Sequence, residues 1–206
     1  MKLTKRGEYA LRALIDFGIA QELGRPLLKV GELVEKERLP VKFLEQILMQ
    51  LKAAGYIETK RGKGGGYFLA KPAKEIRFGQ VIRLIDGPLA PIACVSQTAY
   101  ERCTCPDEEH CGLRMLMLDV RNAIARILDR YVLSDVVEIT LRKMRRDGVP
   151  IPFMVEKLLS PTGHPPEGGD ALHPMGSFLA ELEGLRVGAG PKPKKPKAAK
   201  PEKQDP

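Results

Sequence analysis

Four cysteines stand within eighteen residues of a 206-residue chain, and there are none elsewhere. They are Cys94, Cys103, Cys105 and Cys111, in the stretch "CVSQTAYERCTCPDEEHC". Thiolates are the soft donors that zinc and iron-sulfur clusters take. The spacing, C-x8-C-x-C-x5-C, lacks the paired C-x-x-C knuckles of a zinc ribbon. Loose spacing in a loop suits an iron-sulfur cluster, whose several corners accept sulfurs arriving from a flexible chain. The neighbours Glu101, Asp107, Glu108 and Glu109 oppose thiolate formation in the empty site, so these cysteines read as metal ligands and not as preactivated nucleophiles. Other chemistry has little to draw on. Only three histidines exist, and His164 and His173 lie in a stretch rich in proline and glycine, so a histidine-based triad on a rigid scaffold is not expected and the chain does not read as an enzyme.

The elements that must hold this loop follow from composition and periodicity. With 43% hydrophobic residues the chain can build a core without disulfide staples. Neither a secretory leader nor an apolar run of membrane-spanning length is legible, so a cytoplasmic protein without a membrane partner is expected, and in that reducing compartment clustered thiols bind metal or do redox chemistry. Leu11, Leu14, Ile15, Gly18 and Ile19 predict a helix over 5–22, capped by Thr4. A short helix around Val30, Leu33 and Val34 and another around Leu44, Ile47, Leu48 and Leu51 follow, the latter bounded by Pro40 and Gly55. Tyr56–Lys60 and Tyr67–Ala70 read as strands joined by the basic, glycine-rich tip "RGKGGG". Three helices and a hairpin in that order make a winged helix-turn-helix.

After the wing, "FGQVIRLIDGP" predicts a short amphipathic helix ahead of the cysteine loop. Beyond the loop, Leu113, Met117, Val120, Ile124, Ile127 and Tyr131 form one apolar seam along a long helix. Such a helix needs a partner, either the first helix or a second copy of itself. "SDVVEITLRKM" adds a helical segment with Ser134 as its expected cap. Past Ser160 the chain is rich in proline and glycine, with a possible short helix at Leu179, Leu182 and Leu185. The fold class is therefore mainly α with a small β-hairpin. Three divisions are expected: a DNA-binding domain over 1–75, the cysteine loop and dimerisation helices over 76–146, and a largely disordered tail over 147–206.

Charge divides unevenly along the chain. The net charge is +8; residues 188–206 carry six lysines against Glu202 and Asp205, and the first 75 residues hold fifteen Lys and Arg against nine Asp and Glu. A basic N-terminal region fits a polyanion partner. Lys42, Glu45 and Gln46 lie in the first turns of the third helix, opposite its apolar face, and are side chains suited to reading base edges. In the wing, Arg61 and Lys63 flank glycines that let the backbone approach phosphates. A nucleotide-phosphate loop does not fit there, because glycine follows Lys63 and Ile57 stands in place of the motif's first glycine.

The segments "MKLTKRGEYAL", "KFLEQILMQLKAAGYIETKRGKGGGYFLAK" and "VIRLIDGP", with the cysteine loop before a long helix, resemble the IscR/NsrR/RirA-type winged-helix iron-sulfur regulators of bacteria from Met1 to about Arg146. That resemblance implies a homodimeric transcription factor, often a repressor, whose cluster state controls binding to double-stranded operator DNA. It matches the base-contacting helix positions to Lys42, Glu45 and Gln46 and the wing arginine to Arg61. Family members offer three cysteines in a C-x5-C-x5-C-like arrangement with one further ligand. Here Cys105 and Cys111 keep that spacing, Cys94 stands for the first ligand, and Cys103 is extra. Arg114 occupies the place of a histidine ligand found in some members, and Glu8 matches a carboxylate that others supply from the partner's first helix. The fourth ligand is thus Cys103 or Glu8, with His110 behind them, and the cluster is 2Fe-2S or 4Fe-4S. Two rivals remain: the same fold with a zinc or thiol-redox switch in the loop, and a small iron-sulfur carrier or scaffold that does not bind specific DNA.

Overall fold

The computed structural model describes residues 3–154, and its elements all belong to one unit, Met1–Gly163. Helix α1 (Lys5–Glu22) starts where Thr4 Oγ1 accepts the Gly7 N–H at 3.1 Å, the predicted N-cap. Its apolar positions Ala10, Ala13, Leu14 and Phe17 are buried, and it packs against three other helices. Helix α2 (Val30–Glu37) is opened by the Glu32 carboxylate, which reaches back to accept the Lys29 N–H at 2.8 Å. It closes on Arg38 in the left-handed region, at φ 52°. That tight turn lets α3 (Val41–Ala53) fold straight back onto α2, and Gly55, at φ 71°, ends the third helix.

Strands β1 (Ile57–Lys60) and β2 (Gly66–Leu69) pair antiparallel, with Ile57 opposite Leu69 and Lys60 opposite Gly66. A third extended segment joins them: the Leu28 N–H donates to Tyr67 O at 3.0 Å, and the Tyr67 N–H donates to Leu28 O at 2.8 Å. The hairpin is thereby bolted to the loop between α1 and α2. Gly66 is required there, since a Cβ would stand 2.7 Å from Leu28 O.

A 3-10 turn over Ala73–Glu75 leads to α4 (Phe78–Asp86), which stops at Gly87. A second 3-10 turn, Ala93–Val95, precedes the loop that ends at α5 (Gly112–Arg130), and α6 (Leu133–Arg146) follows. Ser134 does not cap α6. The N-cap is Val132, and Asp135 reaches back to accept its N–H at 3.2 Å. A carboxylate three residues on does the capping that the hydroxyl was expected to do. Gly18 lets α6 cross close to α1, for a Cβ there would meet Val137 Cγ2 at 2.6 Å. It is α6, then, that covers the first helix. α5 packs mainly on α4 and on the Ala93–Val95 turn.

Helix α4 is the joint of the fold. The Thr4 N–H and Oγ1 both donate to the Asp86 carboxylate, at 2.9 and 2.5 Å. Gln50 Nε2 on α3 donates to Leu84 O at 3.3 Å. Arg83 forks onto Asp129 of α5 at 2.6 and 2.8 Å, a paired geometry stronger than a point contact. After α6 the chain turns back, and Ile151 and Phe153 pack against the core, although they lie in the stretch where disorder was expected. The possible helix at Leu179–Leu185 and the lysine-rich end lie outside the described residues. Among the described residues no helix is long and apolar enough to cross a membrane.

Candidate nucleic-acid interface and sulfur site

On α3, Leu44, Ile47, Leu48 and Leu51 are fully buried, which forces Lys42, Glu45 and Gln46 outward, and all three are exposed. Two apolar side chains share that outer face, Val41 and Met49, the latter 68% exposed. Apolar contact of this kind suits the methyl group of thymine in a major groove. Lys60, Arg61 and Lys63 stand exposed around the wing tip. The tip closes by the Gly65 N–H donating to Gly62 O at 2.9 Å, and a Cβ on Gly65 would collide with Lys60 O at 2.1 Å. Lys52 Nζ of α3 donates to Thr59 Oγ1 of β1 at 2.7 Å, so helix and wing are fixed to each other as one surface.

All four cysteines line one cavity of about 230 Å³. The 3-10 turn sets Cys94, which is buried; Cys111 is the N-cap of α5; Cys103 and Cys105 sit half-buried in the coil between, and all four are free thiols. The Cys105 N–H donates to Cys103 Sγ at 3.3 Å. The Cys105 thiol is pushed up to about 12 by the neighbouring Cys103 thiol first, then by burial and by Cys111. Cys94 is raised chiefly by burial, then by Cys103 and only after that by Glu108. Mutual proximity of the sulfurs and burial therefore outweigh the acidic neighbours that the sequence pointed to. Among the described residues no three His, Cys, Asp or Glu side chains meet closely enough to hold a single ion. The sulfurs ring a space and do not converge on a point.

This donor set fits an iron-sulfur cluster: four soft sulfur donors are spread around one cavity. Cys94, Cys105 and Cys111 would hold it, with Cys103 or a carboxylate such as Glu8 as the fourth ligand. Arg114 closes one side, its Nε donating to Cys94 O at 3.3 Å and pairing with Glu108 at 3.3 Å. Glu108 also accepts from the Tyr100 hydroxyl at 2.7 Å. No local pattern announces this Tyr100–Glu108–Arg114 brace, because its members are joined only when the loop folds back on the first turn of α5. His110 points away, its Nδ1 2.7 Å from Asp107 Oδ2, and it does not line the cavity. Glu8 sits in the first turn of α1 between Lys5 at 2.7 Å and Arg12 at 3.5 Å, and the Lys5 ammonium holds its carboxyl below the usual range. Within one chain it is not part of the cysteine cavity.

A second polar cluster was not foreseen. Asp16 on α1 is 1% exposed, paired with Lys36 and beside Glu37, which Arg12 also meets. Burial lifts the Asp16 carboxyl to about 7 against the opposing pull of Lys36. In the sequence Asp16 looks like any polar helix residue; only in the fold do Lys36 and Glu37 of α2, twenty residues on, meet it.

On α5 the expected apolar seam is partly open: Leu113, Val120 and Ile127 are 59, 37 and 46% exposed, Met117 and Ile124 are half-buried, and Tyr131 just past the helix is buried. Leu116, outside the expected seam, adds an exposed side chain to the same face at 58%, and Arg121 is the one buried residue of the helix.

A family model described as "Rrf2: Iron-dependent Transcriptional regulator" matches residues 3–139. An rrf2-like HTH-type transcriptional regulator of Rhodobacter capsulatus is 34% identical over 137 residues, 66% of this chain and 91% of that relative. The HTH-type transcriptional regulator IscR of Cereibacter sphaeroides is 38% identical over 86 residues, 42% of this chain and only 56% of its own length. Among solved structures, CymR, the global cysteine regulator of B. subtilis, superposes with a TM-score of 0.57 at 26% identity, over 68% of this chain and 98% of that one.

Proposed function

The chain belongs to the Rrf2 family of transcriptional regulators, and from that premise we propose a homodimeric repressor that binds operator DNA under the control of an iron-sulfur cluster in the 94–111 loop. The observation that carries this reading is the single cavity lined by all four cysteines of the chain, at the N-terminus of a helix with an open apolar face. Bound there, a cluster supplies a cross-link between distant points of the loop that iron supply and oxidants make or break. The chain's own residues do the rest. The α5 seams of two protomers cover each other, and two copies of α3 then face successive major grooves of a pseudo-palindromic site. Lys42, Glu45 and Gln46 read base edges, while Arg61 and Lys63 meet the backbone or the minor groove beside them. Arg83 and Asp129 tie the helix before the loop to the helix after it, so reordering the loop shifts the balance between DNA-binding arrangements of the dimer.

The test is an absorption spectrum with iron and acid-labile sulfide determination on anaerobically purified protein, paired with gel shifts of its own upstream DNA with and without the cluster. The reading expects sulfide, visible absorbance and salt-sensitive, sequence-dependent retardation that changes with the cluster. Zinc without sulfide makes the loop a zinc site. Neither metal nor sulfide, with retardation that thiol oxidants abolish and reductants restore, makes it a thiol switch. A cluster without specific retardation returns the carrier or scaffold reading.

A further inference from the structure

We propose that Cys103 is the fourth ligand, so that four thiolates of one protomer hold the cluster and no carboxylate crosses the dimer. This rests on the cluster reading above and sharpens it. Cys103 lines the same cavity as Cys94, Cys105 and Cys111. The chain bends at Thr104, between Cys103 and Cys105, and both sulfurs come to one space. The Cys105 amide already donates to Cys103 Sγ at 3.3 Å, the kind of hydrogen bond that steadies a ligating sulfur. Glu8, by contrast, is engaged on its own helix by Lys5 and Arg12. The one ring nitrogen donor in the loop, on His110, is turned to Asp107.

Charge agrees with an all-sulfur set. Four thiolates leave an iron-sulfur core with an excess of negative charge, and Arg114 lies against the cavity with Arg102 at its rim. As each iron-thiolate bond forms, the thiol proton leaves to solvent, and the core is built from sulfide and a mixture of ferric and ferrous iron, so no further oxidant is needed. Cluster retention then does not depend on the second protomer.

The experiment uses the full chain as wild type, Cys103→Ser, Cys103→Ala and Glu8→Gln, each reconstituted anaerobically with ferric and ferrous iron and sulfide. The readouts are iron and sulfide per chain, the Mössbauer spectrum, and the rate at which a chelator strips the visible absorbance. Far-UV circular dichroism and melting of the apo forms check folding; the cysteines lie outside the main hydrophobic cluster, so these should match wild type. Both Cys103 variants should lose absorbance to the chelator at least about tenfold faster and show a changed iron environment, while Glu8→Gln keeps the wild-type spectrum and rate. Wild-type behaviour in the Cys103 variants, or accelerated loss in Glu8→Gln, overturns the assignment with the cluster reading intact. Wild-type protein that takes up no sulfide sinks both.

Discussion

Replacing Leu116 with Asp should split the proposed α5 dimer. Leu113, Leu116, Val120 and Ile127 fall on one stripe of α5, and they average about half exposed in the single chain. Full burial of such a side chain stabilises by about 1.5–3 kcal/mol, so covering the exposed half contributes about 1 kcal/mol each, or about 8 kcal/mol for the two copies of four residues. Association itself costs about 4–15 kcal/mol, which leaves no wide margin and makes every contact in the seam count. Leu116→Asp removes about 2 kcal/mol of burial from the dimer. It also sets two carboxylates in an apolar seam, at about 1–3 kcal/mol apiece. The dimer dissociation constant should therefore rise by about a thousandfold or more. Sedimentation velocity over a concentration series reads this directly. Met115 is the internal control: it is equally exposed at 58% but stands on the other side of the helix, so Met115→Asp should leave the dimer unchanged. A Leu116→Asp protein with the wild-type dissociation constant, or equal effects from both variants, would refute the α5 interface.

Three other outcomes are expected. Arg61→Ala should weaken operator binding with little change in base preference and reduce the slope of log affinity against log salt by about 1, read from gel shifts at several salt concentrations. Gly66→Ala forces a Cβ to 2.7 Å from Leu28 O; overpacking of this kind costs about 1–3 kcal/mol and should lower Tm by about 3–10 °C, and an unchanged melt would mean that the Leu28 bridge does not anchor the wing. The Asp16 carboxyl is lifted from 3.8 to about 7 in the folded chain, so between those values the native state binds more protons than the unfolded one. Stability of the apoprotein should then fall as pH rises from about 4 to 7 and level off above, and the slope should be lost in Asp16→Asn, as urea midpoints across that range will show.

Helix order, the wing and the reading face of α3 were legible in the sequence because each is a local signal. Thr4 before an apolar-periodic run, Pro40 and Gly55 around a helix, and glycines between two strand-like runs act on their own neighbours. What escaped depended on contacts far apart in the chain. Leu28 pairs with Tyr67, and Asp86 ends a helix yet is bonded by Thr4 from eighty-two residues away. Ser134 had the right residue type for a cap, but Asp135 lay one position further and reached the free N–H first. The cysteines were easy to single out, but their order of influence on one another was not. Spacing shows that thiols share a loop; the fold back onto Arg114 and Glu108 decides which sulfur faces which.

The position of α4 explains how a loop remote from DNA could govern α3. The loop begins at Gly87, immediately after Asp86, so any reordering of residues 88–111 bears first on the C-terminal turn of α4. A carboxylate there opposes the helix dipole and is tolerated because two Thr4 donors satisfy it. Two residues before Asp86, Leu84 O accepts from the Gln50 amide of α3, and Arg83 grips Asp129 on α5. Three kinds of contact within four residues thus reach the start of α1, the last turn of α3 and the end of α5. α4 cannot tilt by the 1–2 Å typical of helix shifts without breaking at least one of them. In the proposed dimer, a cluster that drew Cys94 toward Cys105 and Cys111 would act on the spacing of the two α3 helices through hydrogen bonds at α4, and the hydrophobic core beneath α1 would not need to repack.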